Sequence, residues 1–173
     1  MVIKVDSKGV LDMKRYAGGT KVGVARSRNQ IDNLLRDFGA TGIQWTNEWT
    51  PVKHATLRFT WIHEGVHLMA KIRMVCDHKL ISKNAIDGRS GNVSNAKLEK
   101  LLSQWDSEAH RLLLLFLKGA FFAIEAGMIS AEQIFLPFFE DNSGRTVWEI
   151  MQPRLIELPQ ASAARLLTEK AGE

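Results

Sequence analysis

The chain has 173 residues, 45% of them hydrophobic and 24% charged, with 23 Lys+Arg against 19 Asp+Glu and a formal charge of +4. That is enough chain for one buried core and too little for two full-sized domains, and the ordinary apolar fraction excludes disorder as the main state. No apolar run reaches the roughly 20 residues of a membrane span, the charged start Met1 to Asp6 is unlike a signal peptide, and a lone Cys76 suits a reducing compartment, so a cytoplasmic protein without a membrane partner is expected.

Residues 1–21 read as an N-terminal extension, and Thr20 to Val24 is β-prone. Ser27-Arg28-Asn29-Gln30 has the form of a capping box, and Ile31, Leu34, Leu35 and Phe38 follow at helical spacing up to a C′ glycine, Gly39. Three segments with period-two alternation come next. Ile43, Trp45 and Trp49 share a face of the first; Ala55, Leu57, Phe59 and Trp61 of the second; Val66, Leu68, Ala70, Ile72 and Met74 of the third.

Parity sets the register. The apolar sets of the last two strands fall on odd and even positions, so their loop must hold an even number of residues. A turn at Glu64-Gly65 satisfies this and pairs Trp61 with Leu68, Phe59 with Ala70 and Leu57 with Ile72. The same logic gives the earlier hairpin a three-residue loop, Thr50-Pro51-Val52. The alternation also makes the Trp45, Trp49 and Trp61 set core rather than a stacking platform.

A polar loop near 77–95 carries Lys79, Lys83 and Arg89. A long helix then runs from Ser94 to Ala126, stopped by Gly127, with Leu98, Leu101, Leu102, Trp105, Ala109, Leu112, Phe116 and Ala120 at helical spacing and a kink at Gly119. Two further capping boxes, Ser130 to Gln133 and Thr146 to Glu149, open short helices that Pro137 and Pro153 close. The fold class is α+β: a short antiparallel β-meander packed against a capped helix and a long apolar helix. One domain covers residues 22–156, and residues 157–173 form a tail.

The string His63-Glu64-Gly65-Val66-His67 matches H-E-x-x-H, in which i and i+4 histidines share a helix face around zinc. Alternation on both sides and a central glycine favour a hairpin turn instead, so zinc hydrolysis is the third-ranked reading. On the outer face of the meander, Arg58 lies opposite Lys71 and Thr56 opposite Arg73, with His54 and His67 on the same side. Like charges facing across strands are unfavourable unless an anion bridges them, which points to phosphate or nucleic acid. Arg26, Ser27 and Arg28 at a helix start offer a second anion site. Arg111, Lys118 and Glu125 recur every seven residues and form a polar stripe along the long helix. Glu140-Asp141 reads as turn chemistry, and there is no nucleophile elbow, glycine-rich phosphate loop or paired-cysteine motif, so neither an enzyme nor a cofactor is expected.

Several blocks resemble a family of small uncharacterised phage and prophage proteins. They are Ala25 to Arg28 with Ile31, Leu34-Leu35 and Gly39 to Thr41; Arg111 to Lys118 through Ala123-Ile124-Glu125 to Gly127; and Ser143 to Val147. The resemblance spans most of residues 22–152 and departs at residues 1–21 and at His110, where an aromatic residue is usual. It implies a capped helix, a β-hairpin and a long helix in a phage accessory protein, and it carries no established activity over to this chain.

The expected function is therefore non-enzymatic: a phage accessory protein that binds an anionic ligand, above all nucleic acid, through Arg58, Lys71, Arg73, His54 and the Arg26/Arg28 helix start. The alternative is an anti-defence protein that sequesters a nucleotide signal or docks on a host defence protein. It would use a pocket near Ser27, Arg28, Lys118 and Glu125, with the apolar helix assembling homo-oligomers.

Overall fold

The computed structural model describes residues 17, 19–48, 54–63, 65–76 and 94–157, with the backbone alone for 63 and 154–157. Helix α1 (Val24–Asp37) leads into strands β1 (Gly42–Glu48), β2 (His54–His63) and β3 (Val66–Val75). The long helix α2 (Asn95–Glu125), the short α3 (Ala131–Phe135), a 3₁₀ turn (Leu136–Phe138) and α4 (Val147–Glu157) follow. The strands form one antiparallel sheet in the order β1-β2-β3. The α+β class is thus the architecture of the protein.

The strands β2 and β3 pair in the register that parity demands. Trp61 faces Leu68, Phe59 faces Ala70, Leu57 faces Ile72, Arg58 faces Lys71 and Thr56 faces Arg73. The turn glycine Gly65 has φ 80°, the positive value that a two-residue hairpin favours. The pairing of β1 with β2, Trp45 against Leu57 and Glu48 against His54, has the register that a loop of residues 50–52 demands. That loop and Trp49 lie outside the described residues, as do Lys79, Lys83 and Arg89.

One sheet face is buried. Leu57, Phe59, Ala70 and Ile72 pack against Ile31 and Leu35 of α1, Leu113, Leu114 and Leu117 of α2, and Phe135 of α3. The aromatic centre is tight: Phe135 lies edge-on to Phe59 and Trp61, with ring centroids 5.5 and 5.7 Å away. Trp45 and Trp61 both pack against this core, in agreement with the alternation. Each fully buried large side chain contributes about 1.5–3 kcal/mol to the fold.

Helix ends mostly follow the sequence signals. Gly39 and Gly127, at φ 90° and 67°, end α1 and α2. In each case the next N–H reaches back five residues, Ala40 to the Leu35 carbonyl and Met128 to that of Ala123, which completes a Schellman motif. Ser94 caps α2, accepting the Lys97 N–H. Both further capping boxes form, at Ser130/Gln133 and at Thr146/Glu149.

Four expectations need correction. Helix α1 begins at Val24 with Gly23 as its N-cap, so Ser27 is no cap and Thr20 to Val24 forms no strand. The Ser27 N–H already bonds the Gly23 carbonyl within the helix. Pro153 lies inside α4, which continues to Glu157. Residues from the supposed extension also dock on the domain: Ala17 is buried, and the Gly19 N–H donates to Glu108 Oε1 at 2.8 Å. Finally, the buried face of α2 is rotated from the expected one. Trp105, Ala109 and Ala120 are buried, but Leu113, Leu114, Leu117 and Phe121 join them, leaving Phe116 about two-fifths exposed. In a run of leucines every helical face is apolar, so periodicity cannot pick the inner one.

Phe135→Ala should cost about 3–5 kcal/mol in chemical denaturation, because it empties the junction of α2, α3 and the sheet. Phe122→Ala, at a site 70% exposed, should stay within about 0.5 kcal/mol under conditions where the protein is monomeric.

Candidate functional site

The outer sheet face carries the expected cations, and the chain itself supplies the anion between them. Phe139 bridges Ala70 at the free edge of β3, and the Glu140 N–H donates to the Met69 carbonyl. This turns the Glu140 side chain across the outer face. Arg58 Nε donates to Glu140 Oε2 at 3.0 Å, and Lys71 Nζ lies 3.5 Å from Oε1. The Lys71 ammonium also donates to the Gly144 carbonyl and lies 4.0 Å from Glu149. The Glu140 and Lys71 side chains are only 6% and 14% exposed, so these groups act as an internal clamp. Glu140 is therefore more than turn chemistry. Asp141 is the turn residue, accepting the N–H groups of Ser143 and Arg145.

Beyond the clamp, His54 is buried. Its Nε2 lies 3.0 Å from Glu48 and 3.2 Å from an Arg73 guanidinium nitrogen. Arg73 itself is exposed.

The helix-start cluster is rearranged. Arg26 is the third residue of α1 and exposed, whereas Arg28 turns inward toward α2 and β1. Its Nε donates to His110 Nε2 at 2.9 Å, its Nη2 donates to Asn47 Oδ1 at 2.7 Å, and the guanidinium carbon sits 4.7 Å from the Trp45 ring centroid. His110 is fully buried, with Nδ1 2.7 Å from the Asp106 carbonyl. A carbonyl only accepts, so Nδ1 carries the proton and Nε2 is free to accept from Arg28. Trp45 Nε1 donates to Asp32 at 2.9 Å. Burial pulls the Arg28 guanidinium below the ordinary arginine value, opposed by the nearby negative charges of Asp106 and Asp32. Ser27, one residue away, is fully buried with no hydrogen-bond partner for its hydroxyl among the described residues.

Lys118 and Glu125 do not join this cluster. The helical rise places them about 12 and 22 Å beyond His110, and both are exposed. Arg111, the first member of the stripe, donates to Gln30 on α1. A groove of about 350 Å³ between β3 and α2 is lined by Ile72, Met74, Val75, Leu112, Phe116 and Phe138, and its apolar walls do not provide for an anion.

The H-E-x-x-H string spans the β2–β3 turn, with His63 paired to Val66, so its histidines do not share a helix face as the zinc motif requires. Among the described residues no cluster of three metal-ligating side chains forms.

In the sequence Glu140 reads as a turn residue and Glu149 as a cap, and nothing ties either of them, or Asn47 and Asp32, to the side chains they meet. Glu140 stands 82 positions from Arg58, and no local pattern joins them. His110 did leave a signal, as an imidazole one turn before the apolar run of Leu113, Leu114 and Leu117. Comparison of the chain with protein-family models, curated proteins and solved structures yields no match, so the site rests on its own geometry.

Glu140→Gln should lower stability by about 1–3 kcal/mol, since it strands two cations that are only partly reached by water. Combining Arg58→Met with Glu140→Met should recover part of that loss. The Glu149 carboxylate is held below its ordinary value of 4.5, chiefly by the Thr146 N–H and then by Lys71. A depressed value stabilises the fold above the ordinary one, and that contribution disappears as pH falls through the folded value. Glu149→Gln should accordingly flatten the acid-side decline of stability below about pH 4.5, read from melting temperature against pH.

Proposed function

We propose that this protein is a non-enzymatic accessory protein, of the phage context its sequence resembles, that binds an anionic ligand of nucleic-acid chemistry with Arg28 at the centre of the contact. One observation carries the reading. The Arg28 fork is held by His110, Asn47 and the Trp45 ring, all neutral, with no carboxylate in ion-pair reach among the described residues. Arg58 and Lys71, by contrast, already have carboxylates, Glu140 between them and Glu149 beside Lys71.

A guanidinium that has lost water without gaining a direct ion pair, with Asp106 and Asp32 acting on it only through space, favours an incoming anion. Two of its five N–H donors are engaged, and the others suit phosphate oxygens. An arginine backed by an aromatic ring is also a plane on which bases stack. Lys21 and Arg26 are exposed on the same N-terminal segment, and Arg73 lies beside His54 on the outer face at the C-terminal end of β1. These supply charge for flanking phosphates.

Salt-titrated binding of single- and double-stranded oligonucleotides to the full chain tests the reading. Affinity should fall steeply with salt. Arg28→Met should weaken binding about 5- to 100-fold, and Arg73→Ala should reduce the salt slope by about one. Absence of binding to either oligonucleotide at low salt would overturn the proposal. Tight mononucleotide binding with a flat salt response would transfer Arg28 to the anti-defence alternative, in which it sequesters a nucleotide signal.

A further inference from the structure

The outward face of α2 carries five residues at alternating spacings of four and three: Arg111, Leu115, Lys118, Phe122 and Glu125. At 100° per residue they fall on one stripe, opposite the buried Leu113, Leu117 and Ala120. The 4-3-4-3 spacing is that of a helix-pairing seam. Phe122 is 70% exposed at its centre and Leu115 is 40% exposed. Gly119 and Ala126 flank the seam and are also exposed, so a second backbone can come close. Lys118 and Glu125 are exposed beside Phe122, and neither makes an ion pair with another described residue.

We infer that this stripe is the contact surface for a second copy of the chain, paired antiparallel about a twofold axis at Phe122. Charge selects both the occupant and the register. About that axis, residue numbers facing each other sum to about 244. Lys118 therefore meets Glu125 of the second copy twice over, and the two Phe122 rings, each 70% exposed in the single chain, meet on the axis. A shift that set Leu115 against Phe122 would place the axis beside Lys118 and bring two ammonium groups together. A parallel pairing would set lysine on lysine and glutamate on glutamate. Only the Phe122-centred antiparallel register satisfies both the apolar and the charged members, and its twofold symmetry makes the surface self-complementary. From Arg111 to Glu125 the seam spans about 21 Å. Facing helix is limited to about Lys118 to Glu125 of each copy, a contact smaller than the roughly 800 Å² per partner of a standard interface, so a weak dimer is expected.

Sedimentation of the full chain over a micromolar concentration series reads this directly. The wild type should form a dimer, and Phe122→Ala should be monomeric with an unchanged circular dichroism spectrum. Lys118→Glu and Glu125→Lys should each raise the dimer Kd by about tenfold or more, because each change creates two like-charge contacts. The double variant K118E/E125K should return the Kd to near its wild-type value, since the swapped charges again complement each other. A wild type that stays monomeric throughout the series overturns the inference. So does a dimer that neither single reversal weakens, or whose weakening the double variant fails to repair.

Discussion

Burial of a single face of the three-stranded sheet is the constraint from which most of this structure descends. Leu57, Phe59, Ala70 and Ile72 must all point at α1 and α2, and a pleated strand leaves the alternate residues no choice of side. Thr56, Arg58, Lys71 and Arg73 are thereby driven together on the other face. A one-residue slip would carry charged side chains into the core, so the register is held by a penalty far larger than any single contact.

That juxtaposition of Arg58 with Lys71 creates a demand for negative charge, and the chain meets it internally. The segment after the 3₁₀ turn adds one bridge to the edge of β3 and swings Glu140 across the two cations. The capping box of α4 then places Glu149 near Lys71. Edge protection, charge neutralisation and anchoring of α4 are three results of the same short stretch. The outer face is therefore mainly structural where Arg58 and Lys71 stand, and it keeps exposed positive charge at Arg73.

Two partly buried arginines, Arg58 and Arg28, differ in what partners them. Arg58 has a carboxylate, while Arg28 has an imidazole lone pair, an amide oxygen and an indole face. The first arrangement is complete in itself, and the second has unused donors beside a desolvated charge. This difference, more than the net charge of +4, is the ground on which the proposed anion contact is centred at Arg28. Helix α2 shows a related division: Leu113, Leu114 and Leu117 saturate the core, and its opposite side keeps an apolar seam with its own charges.

Local rules were enough for the strand registers and for most helix ends, though the capping pattern at Ser27 and the stop at Pro153 did not hold. Parity dictated both strand registers, because a side-chain period of two admits no compromise. Gly39 and Gly127 marked helix ends, because positive φ is unfavourable for other residues. Ser130 and Thr146 announced caps, because donor and acceptor lie three residues apart. Tertiary structure decided the rest. It showed that Ser27 is buried rather than capping, which face of the leucine-rich α2 turns inward, that Glu140 answers Arg58 across 82 positions, and that His110 and Asn47 hold Arg28. Those outcomes depend on which distant groups share one desolvated space, and a hydrogen-bonding or ionic partner brought in from another element has no periodicity by which a linear sequence could reveal it.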